Sequence, residues 1–141
     1  MTAEQQERLT QRLEDASREQ PEILLLRQKL LSIGGIELVA PPDFDSDFPS
    51  LINDGHLMPG PVVEEFLQSG ACHQNVAELW RQAKLSGIGT GYALSGELWR
   101  QHSWGVRTNC IVETTVARSK YFGFLLTGDK ADHFAALNPP D

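Results

Sequence analysis

Leu9, Leu13 and Ala16 recur at helical spacing among Glu, Gln and Arg, so Ala3 to Glu19 reads as a polar amphipathic helix. Thr2 followed by Gln5 is a capping-box signature at its start. Pro21 interrupts this helix and suits the first turn of a second, in which Ile23 to Leu26, Leu30 and Leu31 form a broader apolar face before Gly34 and Gly35 end it. That face is expected in the core. From Ala40 to Pro61 the chain is acidic and rich in proline, which predicts an ordered but irregular crossing segment. Val62 to Leu67 reads as a short helix, and Ser69-Gly70 offers a cap for a stronger one carrying Val76, Leu79, Trp80 and Ala83 on one face. Gly87, Gly89 and Gly91 break the helical pattern and predict a turn. Tyr92 to Ser95, Leu98 to Val106, Cys110 to Val116 and Tyr121 to Thr127 then read as successive strands of an antiparallel meander, closed by a helix from Asp129 to Leu137. Helices followed by strands predict an α+β fold, N-terminal helices packed on a meander.

The chain has 141 residues, enough for one sizeable core, and a single domain over 1–141 is expected. Within it, 1–61 forms the helices and irregular segment, and 62–141 carries the chemistry. Twelve Lys and Arg against nineteen Asp and Glu leave a charge of -7, which argues against a phosphate-backbone binder, so nucleic acid is not expected as a partner. The apolar runs fall far short of the ~20 residues that cross a bilayer, and the N-terminus does not resemble a signal, so a soluble cytoplasmic protein without a membrane partner is expected. Cys72 and Cys110 are too few for a disulfide scaffold or a four-thiolate zinc site.

Candidate chemistry concentrates on three residues. Cys72 lies in the first turn of its predicted helix, where the dipole and free N–H groups favour a thiolate and a developing oxyanion. His102 alternates with Leu98, Arg100, Trp104 and Val106, which turns the imidazole inward beside aromatic bulk. Glu113 is a charge within a β-branched strand and needs a partner if buried. A hairpin turning through Arg107-Thr108 puts His102 opposite Glu113; a three-residue turn through Asn109 puts Thr114 there and throws Glu113 to the other face unless a bulge intervenes. Both registers are open.

The run Gly70-Ala71-Cys72-His73-Gln74-Asn75, then Ser86-Gly87-Ile88 and Gly91-Tyr92-Ala93, then His102-Ser103-Trp104, then Val112-Glu113-Thr114-Thr115, resembles the core of the transglutaminase-like branch of the papain-like cysteine enzymes. The resemblance covers Gly70 to Thr115. It implies a papain-like core in which Cys72 is the nucleophile, His102 the general base and acid, and Glu113 the group that orients the imidazole. Glu113 stands where that family usually has Asp, Thr114 replaces the customary Pro, and the Cys-to-His interval is short.

The expected function is a cysteine-dependent enzyme that opens an amide or thioester of a polypeptide or small molecule through an acyl-enzyme, as a peptidase, deamidase or acyl transferase, with no cofactor and no metal. The alternative is a non-catalytic binding or regulatory protein on the same fold. Cys72, His73, His102 and Cys110 lack a recognised zinc spacing. Asp43, Asp45 and Asp47 start like a calcium loop, but Phe48 and Asp54 occupy its Gly and Glu positions, so they are read as solvated. Gly87 to Gly91 lacks the features of a phosphate loop. Trp80, Trp99 and Trp104 are read as core or pocket walls, and the segment Pro41 to Pro61 as a cover for one side of the nucleophile's cleft.

Overall fold

Helix α1 spans Ala3–Glu19 in the computed structural model, which describes residues 1–140. Its capping box forms as the sequence predicts: the Gln5 amide donates to Thr2 Oγ1 at 3.1 Å and the Thr2 amide to Gln5 Oε1 at 2.8 Å. Helix α2 (Ile23–Ile33) buries Ile23, Leu26 and Leu30. Strand β1 (Glu37–Leu38), helix α3 (Phe48–Asp54), strand β2 (His56–Leu57) and strand β3 (Val62–Glu64) follow. Helix α4 (Cys72–Arg81) precedes the long strands β4 (Gly87–Ser95) and β5 (Leu98–Arg107), the short β6 (Cys110–Glu113), and β7 (Lys120–Leu126); α5 (Gly128–Leu137) closes the described chain. Among the described residues the fold is α+β, with five helices and a mixed seven-stranded sheet, and no helix is long and apolar enough to cross a membrane.

The sheet is not the expected meander. Its order is β2-β7-β4-β5-β6-β3, with β1 added in parallel to β5 and β3 in parallel to β6. The last strand therefore returns beside β4 instead of lying next to β6. The outer edge of β6 is already taken by β3, and β4 offers β7 an unusually open edge. Gly91 pairs with Gly123, and a Cβ at either residue would collide with the backbone of the other strand. The glycines of 87–91 thus do not make a turn: they lie inside β4. Gly89 is there because a Cβ would strike the indole of Trp104 on β5.

Two further expectations are corrected. Val62 to Leu67 forms no helix; Pro61 and two β-branched valines keep it extended, and beyond β3 the Glu65 and Leu67 amides donate to the Glu113 and Thr114 carbonyls at 2.9 and 2.8 Å. The segment from Ala40 to Pro61 is not wholly irregular, since Pro49 sits in the first turn of α3, where it costs no hydrogen bond, and Phe48 and Leu51 drive that helix into the core. Nor is Asp45 solvated: it is buried and accepts from Tyr92 Oη at 3.1 Å and Gln101 Nε2 at 3.0 Å.

All the helices with buried apolar stripes serve one face of the sheet. Strand register puts Ile88, Tyr92, Leu94, Trp99 and Phe122 on that face. α1, α2 and α3 cover its Tyr92–Trp99 half through Leu13, Leu26, Leu30 and Phe48, while α4 and α5 cover the Ile88 half through Val76, Leu79 and Ala131. The opposite face carries His102, Trp104 and Tyr121, with Trp104, Tyr121 and Ile111 in a core cluster of their own. α4 ends in a reverse turn in which the Lys84 amide donates to the Leu79 carbonyl and the Ala83 amide to that of Trp80, both at 2.9 Å. Ala83 holds a φ of 57° there, a conformation that is costly for a residue with a Cβ. Ala83 is exposed, so Ala83→Gly relieves this strain without opening a cavity. The variant is expected to gain about 0.5–1 kcal/mol in urea unfolding, the relief exceeding the extra entropy of the unfolded glycine; a loss of stability would contradict the strained-turn assignment.

Candidate active site

The site forms where the β5–β6 ladder ends. Its pairs are Arg107↔Cys110, Val106↔Ile111 and Gly105↔Val112, so the hairpin turns through Thr108-Asn109, one residue later than the earlier of the two registers the sequence leaves open. Neither of those registers is adopted. One step past the last pair, Trp104 comes level with Glu113, and His102, two residues back on β5, shares that face. Glu113 is consequently diagonal to His102 and still on its side of the sheet. His102 Nε2 lies 2.8 Å from Glu113 Oε1, and the two residues are 1% and 0% exposed.

Glu113 has every lone pair in demand. Oε1 also accepts from Tyr121 Oη at 2.9 Å, and Oε2 accepts from the Thr115 amide at 2.9 Å and Thr115 Oγ1 at 3.1 Å. Burial alone would raise the carboxyl's pKa; the His102 bond and charge, with the Thr115 and Tyr121 donors, outweigh it and hold the group at about 2. Trp104 lies nearly parallel to the imidazole at 6.2 Å, and Tyr121 lies 6.4 Å away at a tilt. With Nε2 committed to Glu113, Nδ1 is left for the thiol.

α4 brings Cys72 into the cleft that His102 also lines, close enough to the imidazole to be influenced by it. The helix N-cap is Ala71, which has no side chain to cap the helix, so the first-turn N–H groups around Cys72 stay available. The first turn is pinned from two sides. His73 Nδ1 and Ser103 Oγ are 2.8 Å apart, and Ser103 Oγ is 3.0 Å from Thr90 Oγ1, which docks α4 on β5. Asn75 Nδ2 donates to the Gln68 carbonyl at 2.8 Å and to Thr114 Oγ1 at 3.3 Å, tying the preceding loop and the chain after β6 to the same turn. His73 follows Cys72 on α4 and Ser103 follows His102 on β5, so this bond ties together the segments that carry the thiol and the imidazole. Burial opposes ionisation of Cys72, but the His102 imidazole, the Ser103 amide and the charge of Arg118 together bring the thiol below its ordinary value. His102 is moved the other way: burial disfavours its charge, and Cys72 and Glu113 together raise it. Both directions favour a thiolate–imidazolium pair.

Of the residues singled out by sequence, Glu113 is hydrogen-bonded to His102, and Cys72 lines the same cleft as His102. The remaining candidates are not. His73 is neutralised by burial and used in docking. Cys110 sits at the hairpin and packs against the cluster under α4 and α5. Among the described residues no group of three or more His, Cys, Asp or Glu is arranged to hold a metal ion. Trp99 and Trp104 are fully buried, whereas Trp80 donates to Asp132 at the surface. Pro41 to Pro61 contributes no residue to the cleft at Cys72, which measures about 360 Å³; its influence is indirect, through the hold of Asp45 on Gln101 in the cleft wall. Asn75, Ser103, Thr115, Arg118 and Tyr121 complete the site without being legible individually. Only Asn75, a polar residue beside the apolar stripe of α4 and one turn from Cys72, leaves a trace in the sequence pattern. No protein-family model, curated protein or solved structure matches the chain.

Glu113 ionises more readily in the folded chain than its ordinary value of 4.5, so its contribution to stability is complete above about pH 4.5 and is lost as the pH falls toward 2. Thermal melts over that range should show an acid limb that is much reduced in Glu113→Gln. The same variant, by removing the charge that sustains the imidazolium, should slow iodoacetamide labelling of Cys72 near neutral pH by about 10-fold. A purely structural Glu113 would shift the melts and leave labelling unchanged.

Proposed function

We propose that this chain is a cysteine-dependent enzyme that opens an amide or thioester through an acyl-enzyme, with Cys72, His102 and Glu113 as its triad. The observation that carries the reading is the buried His102–Glu113 hydrogen bond, made through Nε2 so that Nδ1 is left free, with the Cys72 thiol lining the same cleft at an uncapped helix start. The α+β fold supports it by presenting the thiol on a helix and the other two residues on strands that follow, the order of the transglutaminase-like enzymes that the sequence resembles. Glu113 in place of an aspartate is accommodated by geometry: the longer side chain spans the diagonal between residues that are not directly opposite.

In the proposed cycle the Cys72 sulfur attacks the carbonyl carbon and a C–S bond forms. The carbonyl oxygen takes up the negative charge and meets the first-turn N–H groups of α4. As the tetrahedral intermediate collapses, the bond to the leaving amine or thiolate breaks and the His102 imidazolium donates its proton to that group. Neutral His102 then removes a proton from an incoming water or amine, which attacks the thioester and releases the acyl group, returning Cys72 and His102 to the ion pair. Throughout, Glu113 keeps the ring oriented and offsets its positive charge.

Activated thioesters of small acids test this directly by intact-mass spectrometry. An acyl adduct on Cys72 is expected, absent in Cys72→Ala, with acylation slowed about 10²–10⁴-fold in His102→Ala. Added amine that shortens the adduct's lifetime would mark acyl transfer. Adducts on Cys110 instead, or none on a folded chain, would overturn the proposal.

A further inference from the structure

The cleft lined by Cys72 and the edge of the buried His102 is also lined by Arg100, Gln101 and Arg118, and by no carboxylate. For a chain of net charge -7 this is an unusual concentration of positive charge. Neither arginine belongs to an ion pair among the described residues. Arg118 goes further: its Nε and Nη1 are fully buried and meet no hydrogen-bond acceptor, the sole buried side-chain donors left so among the described residues. Arg118 is half-buried as a whole, and its buried N–H groups without an acceptor are unfavourable unless a bound water, ion or ligand completes them. Nε and Nη1 lie on different edges of the guanidinium plane, and a carboxylate meeting either edge accepts a charge-assisted hydrogen bond from one of them and a second from Nη2. In the proposed reaction the oxyanion meets the amides of α4, so the unpaired Arg118 donors are free for a second negative group on the substrate.

We propose that the cleft selects substrates whose acyl portion carries a carboxylate, held by Arg118 and assisted at the exposed mouth by Arg100. The proposal rests on Cys72 being the nucleophile and adds the chemical class of what it attacks. The cleft of about 360 Å³ suits a small carboxylate-bearing acyl group.

Iodoacetate and iodoacetamide separate the two claims. With either reagent the Cys72 sulfur attacks the methylene carbon, the S–C bond forms as the C–I bond breaks, and iodide leaves with the electron pair; the reagents differ only in carboxylate against amide. The readout is the iodoacetate-to-iodoacetamide rate ratio at Cys72, divided by the same ratio for glutathione. The expected normalised ratio is about 10 or more, falling several-fold toward 1 in Arg118→Gln and less in Arg100→Gln. Arg118→Lys keeps the charge without the fork and should lie between wild type and Arg118→Gln. Succinate should protect the wild-type thiol more than sulfate at equal ionic strength. A wild-type ratio near 1, or a ratio that Arg118→Gln leaves unchanged, would overturn the carboxylate assignment. If Arg118→Gln fails to fold, the wild-type ratio, succinate protection and Arg118→Lys decide the question. Failure of the nucleophile reading has a different signature: slow labelling by neutral iodoacetamide, whatever the ratio.

Discussion

A fully buried carboxylate is tolerable only when each oxygen is met by a donor, and Glu113 imposes that condition on the surrounding chain. Its four donors come from His102, Tyr121 and two groups of Thr115. Supplying them requires β5 and β7 to present His102 and Tyr121 on one face, and the chain after β6 to fold back on itself at once. β6 therefore stops at Glu113, and the ladder with β5 ends just short of His102. The opening that results is where α4 places its thiol. Satisfying a buried charge and opening the cleft that Cys72 lines are, in this fold, a single arrangement.

The second layer of the design is the docking of α4 on β5. The hydrogen bond between His73 and Ser103 joins the neighbours of Cys72 and His102, so the segments carrying the thiol and the imidazole are tied together through the backbone. Asn75 repeats the tactic with Thr114, the neighbour of Glu113. Cys72, His102 and Glu113 thus each have an adjacent residue in a hydrogen bond between α4 and the β5–β6 region. Gly89 contributes by absence: it leaves the space in which Trp104 packs beside His102 and Tyr121.

Local features of the chain were readable, and long-range pairings were not. The capping box at Thr2, the stripes of α1, α2 and α4, and the inward side of His102 all follow from spacing within a few residues. The position of β7 depends on which strand edge is open after β3 has occupied β6, a matter settled between segments some sixty residues apart. β1, β2 and β3 hold two or three residues each, too few for alternation to register. The glycines of β4 suggest a turn by type, yet they serve close approach. Asp45 reads as solvated because its partners, Tyr92 and Gln101, are supplied from another part of the chain. Glu113 was recognisable as a charge in need of a partner, and the hairpin register, turning at Thr108-Asn109, is what made the partner diagonal.

The central claim is that Cys72 and His102 share a proton as an ion pair sustained by Glu113, and ultraviolet absorbance of the thiolate reports on it most directly. The difference between the wild-type chain and Cys72→Ser, followed across pH, isolates this one thiol. The account predicts a full thiolate signal at neutral pH that disappears only in the acid range, and a midpoint displaced toward the ordinary value in His102→Gln. A thiolate signal that is absent at neutral pH and rises with a midpoint near the free-thiol value of about 8.5 would contradict it.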